Sequence, residues 1–356
     1  VRLRAQNGEL MPHKMEIFKK FIEEIKDKER VQILCHTDSD GLCSAVIMYN
    51  ALKRIGLDPL DIIYPEKCQN IYGTDKAAPL IKEKLKKINP GALIVLDLGI
   101  SENIIPENVP VLFIDHHFYY SMPDNAYCIT SYGDKNIRPA SLLTYDLCHG
   151  ICDVKDLGHL AVIGTISDLG ADNPFGIISH IHEDYSMAEI KELGVLINSA
   201  KRSPEYDIAA ALKMVMELRD PLQIKNKEIP EVELLRVYRD EVNLEVKKAR
   251  HIAPVFKWKV ALVSFSSPCD IGGLLASMWA HKLQNYLIIT VNFGYIAGKA
   301  EFIIKTNTKI DAVKFMESVK PKNISYPIAF GHKTGAGGIV DLKLWKQIAE
   351  NMGYME

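Results

Sequence analysis

Three strand-length apolar runs each break off at an acidic or imidazole side chain. Val31-Gln32-Ile33-Leu34-Cys35 runs into His36, Ala92 to Leu96 into Asp97, and Pro110 to Ile114 into Asp115. The segments around them have helical period: Met15 to Ile25, Leu42 to Ile55 with Gly56 as its stop, and a lysine-rich stretch from Lys76 to Ile88. Asp61 to Tyr64 is a shorter strand candidate. Strands alternating with helices build a parallel sheet covered on both faces. Such sheets bind ligands at the carboxyl ends of their strands. The polar residues that end these runs are therefore expected along one edge, and that placement is the first functional signal.

Downstream the pattern changes. Ala140 to Arg250 reads as mostly helical, with helices over Leu142 to Ile151, Leu157 to Ile166, Ser186 to Ala200 and Asp207 to Leu218. Glu231 to Arg250 is long and heavily charged, with a narrow apolar stripe of Val232, Leu235, Val242 and Val246, and Pro254 ends it. A second α/β unit follows. Its expected strands are Val260 to Phe265, Tyr286 to Phe293 and Lys299 to Lys305; its helices are Ile271 to Lys282, Asp311 to Ser318 and Leu342 to Met352. Gly331 to Gly338 reads as a glycine-rich loop. The expected organisation is a catalytic domain over 1–230, a linker helix over 231–254 and a smaller domain over 255–356. A chain of 356 residues suits about two domains of roughly 150 residues each.

Composition narrows the function. Apolar residues make up 47% and charged residues 25% of the chain, which excludes a disordered or fibrous protein. No apolar run approaches the ~18 residues of a membrane span, and no secretory signal is visible at the start. Met11 reads as the natural start, and the residues before it as a tail without a packing role. The 7 cysteines are odd in number and irregular in spacing, which points to a reducing cytoplasm rather than a disulfide framework. Lys and Arg total 43 against 45 Asp and Glu, for a net charge of -2. A protein that coats duplex nucleic acid carries a basic excess, so phosphate binding here must come from a local patch or from bound metal.

Four clusters carry chemistry: His36-Thr37-Asp38-Ser39-Asp40-Gly41, Asp97-Leu98-Gly99, Asp115-His116-His117, and Thr165-Ile166-Ser167-Asp168. Gly41 is expected to let the backbone turn sharply after the first strand. Asp38, Asp40, Asp97 and Asp168 repel one another if brought together, and two divalent cations offset that charge. Mixed imidazole and carboxylate ligands suit manganese, with magnesium, cobalt or zinc as rivals. An EF-hand is excluded because residues 41–49 contain no acid. Two metals ~3.5–4 Å apart clamp a phosphoryl group and lower the pKa of a bound water, which makes phosphoester hydrolysis the natural reaction.

In order, the four clusters match the motifs of the DHH phosphoesterase superfamily, and the third gives that family its name. Gly331-His332-Lys333-Thr334-Gly335-Ala336-Gly337-Gly338 resembles the Gly-Gly-His-x-x-Ala-Ala-Gly loop of the accompanying DHHA1 domain, without its first glycine because Phe330 precedes Gly331. The resemblance is nearest to compact archaeal RecJ-like nucleases and to nano-RNase or phosphatase members. It implies an α/β fold: a parallel-sheet DHH domain with helical insertions, joined by a long helix to a smaller α/β DHHA1-like domain. It implies that His36 and Asp38 hold one metal and Asp40 and His116 the other, with Asp97 and Asp168 bridging or supporting both. His117 would face the scissile phosphate, and Asp115 would orient the histidines. His332, Gly331, Gly335, Gly337 and Gly338 would grip substrate phosphate. Lys305 would stand in for the usual arginine, and Arg138 at a helix start would bind a second phosphate.

The activity implied is that of a two-metal exonuclease on single-stranded RNA or DNA that releases 5′-mononucleotides, with a lean towards 3′→5′ polarity. Phe118, Tyr119 and Tyr120, just after the histidines, are candidates for stacking on bases. A second reading takes a dinucleotide, cyclic dinucleotide or bisphosphate as substrate, because 356 residues leave no room for the OB-fold that guides long strands in bacterial RecJ. A third is a replication-complex scaffold, although no metal position is lost here. The expected partners are single-stranded nucleic acid or short oligonucleotides and possible replication or repair proteins, with no membrane.

Overall fold

The computed structural model describes residues 10–67, 77–119, 121–176, 185–226 and 228–354. These divide into two compact units, one drawn from residues up to 198 together with 209–233, the other from 199–208 and 234–354.

The first unit opens with α1 (Leu10–Ile25), β1 (Val31–Cys35), α2 (Ser39–Arg54) and α3 (Ala77–Ile88). Then come β2 (Ala92–Leu96), β3 (Val111–Asp115) and β4 (Tyr127–Thr130). The strands lie in the order β1-β2-β3-β4 and every pair is parallel. Because β1 to β3 are buried along their whole length, they read as unbroken apolar runs rather than alternating ones. Leu34, Leu93, Val95 and Phe113 pack on one face with Ile81 and Leu85 of α3. Helices α4 (Ala140–His149) and α5 (Gly158–Leu169) pack on α2, and α6 (Met187–Arg202), α7 (Ile208–Glu217) and α8 (Gln223–Asn226) follow.

Two local expectations are corrected here. Helix α2 starts at Ser39, three residues earlier than its apolar period indicates, because the Asp38 side chain accepts the Gly41 N–H and caps it. Asp40 and Gly41 thus lie in the first helical turn. Gly41 makes no sharp turn; a Cβ there would meet the His36 carbonyl oxygen at 2.5 Å. Residues 61–64 contribute no strand, only an isolated parallel bridge between Ile63 and Leu34, with another just before them between Pro59 and Val31. Strand β4 escaped the sequence reading because only Ile129 along it is fully buried.

Helix α9 (Glu231–Ala249) leads into the second unit, where Val242 and Ala249 pack with Phe265, Ile271 and Leu275. The strands there are β5 (Val255–Lys257), β6 (Val260–Phe265), β7 (Leu287–Asn292), β8 (Lys299–Thr306), β9 (Phe330–His332) and β10 (Gly335–Asp341). Its helices are α10 (Gly272–Lys282), α11 (Ala312–Val319) and α12 (Leu342–Asn351). The sheet order is β5-β6-β7-β8-β10-β9, with β6 and β7 parallel and the other pairs antiparallel. One face carries Leu287, Ile289, Phe302 and Ile304 against Met316 of α11 and Trp345 and Ile348 of α12. The other carries Ala261 and Ile288 against Ala276 and Ala280 of α10.

The glycine-rich stretch is a hairpin, not a loop, and its glycines have packing reasons. Gly331 has a φ of +137° and a Cβ there would lie 2.4 Å from the Gly335 carbonyl oxygen. At Gly338 a Cβ would meet the Ile328 carbonyl oxygen at 2.2 Å. Among the described residues, no helix is long and apolar enough to cross a membrane.

Phe302 is 0% exposed and stacks on Trp345 with ring centroids 5.6 Å apart. Phe302→Ala is expected to lower the unfolding free energy by about 3–5 kcal/mol, read from urea denaturation.

Candidate metal centre

The three buried strands of the first unit stop at one edge, and the backbone there is shaped for close approach. Asp97 leaves β2 with φ at 61°, a left-handed conformation held by its N–H donating to the Ile114 carbonyl at 3.0 Å. Gly99, with φ at 78°, donates its N–H to the Asp115 carboxylate. The same carboxylate accepts the N–H of His116 at 2.6 Å and of His117 at 2.5 Å, and faces the His117 Nδ1 at 3.0 Å. Asp115 therefore holds the turn through the backbone amides of Gly99, His116 and His117 and faces the His117 imidazole.

Around this turn the predicted donors converge. His36 Nδ1 lies 2.7 Å from Asp38 Oδ2 and 3.5 Å from Asp97 Oδ2. His116 Nε2 lies 3.1 Å from Asp97 Oδ1 and 3.6 Å from Asp40 Oδ2. His117 Nδ1 is 3.7 Å from Asp97 Oδ1, and Asp168, on α5, reaches within 3.9 Å of His116 Nδ1. Two triads have donor atoms all within 4.8 Å of one another: His36, Asp38 and Asp97, and Asp97, His116 and His117. Asp97 belongs to both, turning one oxygen to each set of imidazoles. The sequence reading set His117 apart from the ligands; the geometry groups it with them as well.

Electrostatics fit a cation. Burial first, then Asp97 and Asp168, push the Asp40 carboxyl well above the usual carboxylate range, against the pull of His116. Burial also raises Asp168, with Asp97 and Asp38 adding to it against His116. Burial works against a charged His116, but Asp97, Asp168 and Asp40 outweigh it and hold that imidazole well above its ordinary pKa. The mixed imidazole and carboxylate donors, clustered around a shared Asp97, suit divalent first-row ions.

Several supports escaped the sequence reading. The Asp40 carboxylate takes the Ala140 N–H at 2.7 Å and the Ser141 N–H at 2.9 Å, the first amides of α4, together with the Ser141 hydroxyl. Gly164 makes room for this: a Cβ there would stand 2.3 Å from the Ser141 Oγ and 3.0 Å from the Asp40 Oδ1. Ser39 anchors the start of α2, its N–H donating to the Asn198 side chain and its hydroxyl to the Gly194 carbonyl. For Ser141 the one available signal is a serine just inside a helix start, where the sequence reading places a phosphate.

That helix start is filled by Asp40. Arg138 beside it pairs with Asp146 at 3.3 Å and lies over the Phe175 ring. Burial pushes the Asp146 carboxyl up to about 6, although Arg138 pulls it down. Of the aromatic candidates, Phe118 is 42% exposed with its ring edge-to-face on Tyr132, and Tyr119 packs on the core beneath. Tyr120 lies outside the described residues. His332, Gly331, Gly335, Gly337, Gly338 and Lys305 belong to the second unit. There Lys305 of β8 pairs with Gly335 of β10, and its side chain lies where a Gly335 Cβ would approach Nζ to 3.1 Å.

Residues 30–165 match the family model "DHH family, N-terminal domain". No curated protein matches the sequence. Among solved structures, RecJ from Thermus thermophilus in complex with Mn2+ superposes with a TM-score of 0.69 at 17% identity, over 95% of this chain and 54% of that one. The chain thus spans about half the length of the Thermus protein. A structure of exonuclease RecJ bound to manganese gives a TM-score of 0.65 at 17% identity, over 95% of this chain and 93% of that one. CDC45 from Entamoeba histolytica gives 0.53 at 9% identity, over 96% and 99%. At these identities the likeness is one of fold.

Ser141→Ala removes a hydroxyl that holds Asp40 but keeps the backbone amide. Second-layer losses of this kind cost about 10–100-fold in metal affinity. A Mn2+ titration followed by electron paramagnetic resonance is expected to show at least the lower end of that range.

Proposed function

Residues 30–165 carry a DHH family N-terminal domain, and on that premise we propose that the protein is a metal-dependent phosphodiesterase acting as an exonuclease on single-stranded RNA or DNA. The observation that carries this reading is Asp97, whose two oxygens face His36 on one side and His116 and His117 on the other. In this reading His36 and Asp38 hold one ion, Asp40 and His116 the other, and Asp97 both, with Asp168 in support. The preferred ion is Mn2+, with Mg2+ or Co2+ as rivals. Bound there, two divalent ions supply a water of lowered pKa and positive charge against the phosphoryl oxygens.

The protein's own groups do the rest. Asp115 fixes His116 and His117 through their backbone amides and the His117 Nδ1. With Nδ1 turned to Asp115, the His117 Nε2 is the atom that meets the substrate, and the side chain keeps 20% exposure. Its role is to place a proton on the oxygen that leaves when the P–O bond breaks. Asp40, fixed by α4, keeps its donor oxygen aimed at His116. In the second unit, His332 and Lys305, with the amides of Gly331, Gly335, Gly337 and Gly338, grip phosphate groups of the chain, and Arg138 contacts a further phosphate in competition with Asp146. Successive removal of terminal residues yields 5′-mononucleotides, with a lean towards 3′→5′ polarity. The likeness to a CDC45 fold leaves room for replication partners beside catalysis.

The test is digestion of RNA and DNA oligonucleotides labelled at either end, with Mn2+. The expected product is mononucleotide, released from the 3′ end, and His116→Ala is expected to cut the rate by at least a hundredfold while the far-ultraviolet circular dichroism stays that of the parent. Cleavage confined to di- or trinucleotides would redirect the reading to a small-nucleotide phosphodiesterase. No hydrolysis at any length would end it.

A further inference from the structure

The second unit carries a surface that the metal chemistry does not use. Strand β5 is an edge of its sheet, paired with β6 alone through a tight hairpin at Trp258 and Lys259. Trp258 stands at the tip with φ at 52°, a left-handed conformation unusual for so bulky a residue, and is 90% exposed. Phe256 is 49% exposed, and its ring meets that of Tyr286 edge-to-face at 5.1 Å. On the same face of the sheet, Trp279 of α10 and Tyr286 pack against one small apolar cluster, with the Lys282 ammonium over the Trp279 ring at 4.9 Å.

Charge says what such a surface takes. The run Phe256-Lys257-Trp258-Lys259 alternates rings and cations. From Val246 to Ala300 the one acidic residue is Asp270, in a chain whose net charge is -2. Lys257, Lys259 and Lys282 are all exposed. A partner protein that stacked on the rings would bring no general match to this acid-poor setting. A strand of nucleic acid brings both parts: bases to stack on aromatic faces and phosphates to meet the lysines.

We propose that the β5 hairpin, together with Tyr286 and the end of α10, binds a single-stranded stretch of nucleic acid. The stretch is recognised through stacking and phosphate charge, without base identity. The proposal deepens the nuclease reading and rests on it for the class of substrate, but the binding itself needs no metal and no cleavage.

The experiment measures binding of fluorescein-labelled oligo(dT) of roughly 20 nucleotides, long enough for an extended stacking site, to the full chain in EDTA, where hydrolysis is off. Alongside it runs hydrolysis of an unlabelled dinucleotide with Mn2+. Base stacking is worth about 5- to 150-fold in Kd per base, and two rings together more than either alone. Trp258→Ala combined with Phe256→Ala is therefore expected to raise Kd at least tenfold and leave dinucleotide hydrolysis unchanged. Lys259→Gln with Lys282→Gln is expected to flatten the salt dependence of binding. Trp258→Ala alone removes a side chain that is 90% exposed, and its urea midpoint checks that the fold is kept. An unchanged Kd would overturn the proposal. So would an unchanged Kd with loss of self-association in sedimentation, which would assign the hairpin edge to a contact between copies. A wild-type chain that hydrolyses the dinucleotide but does not bind the long strand would sink this site and leave the nuclease reading intact. Binding through Trp258 without hydrolysis of any substrate would do the reverse.

Discussion

Negative charge concentrated at one sheet edge is the constraint on which the first unit is built. Asp38, Asp40, Asp97 and Asp168 all lie within reach of His36 or His116. Asp40 and Asp97 are almost completely withdrawn from water. Carboxylates in such a place stay ionised only with hydrogen-bond donors and cations around them. The fold supplies donors to three of the site's carboxylates: the start of α4 for Asp40, the Gly41 amide for Asp38, and the turn amides after β2 and β3 for Asp115. Divalent cations held by the two donor triads would complete the balance.

Asp97 shows how backbone and side chain are fitted to that task. Its left-handed φ of 61° costs about 1–3 kcal/mol in ordinary settings and is held by the hydrogen bond to Ile114. The turn that results brings Gly99 back onto Asp115 and leaves the Asp97 carboxylate between two sets of imidazoles. One residue thus joins β2, the β3 turn and both donor triads. Strain at a site built for function is the expected pattern, because the surroundings over-determine it.

Much of this was legible in the sequence because it is local. An unbroken apolar run that ends in Asp or His is visible without any tertiary information, and β1, β2 and β3 lie where those runs predict. His36, Asp97 and Asp115-His116-His117 stand at the strand ends that those runs predict, whereas the grouping of His117 with the donor atoms is visible only in the geometry. What stayed hidden depends on contacts distant in the chain. Ser141 serves Asp40 across about a hundred residues, and Gly164 matters only because α4 and α5 press together around that bond. The glycines of the hairpin in the second unit looked like a loop because composition marks flexibility. Their reasons are the approach of Gly335 to Gly331 and of Ile328 to Gly338. Trp258 and Phe256 gave no signal, since a three-residue edge strand has too few positions to show a period.

The central claim is that Asp97 is shared between two metal positions while Asp38 serves one. Equilibrium dialysis against Mn2+, with metal content counted per chain, tests it directly. The account predicts two ions on the wild-type protein, one retained on Asp38→Asn, and neither on Asp97→Asn at a concentration that saturates the parent. Full occupancy of Asp97→Asn, or a single ion on the wild-type chain, would contradict it.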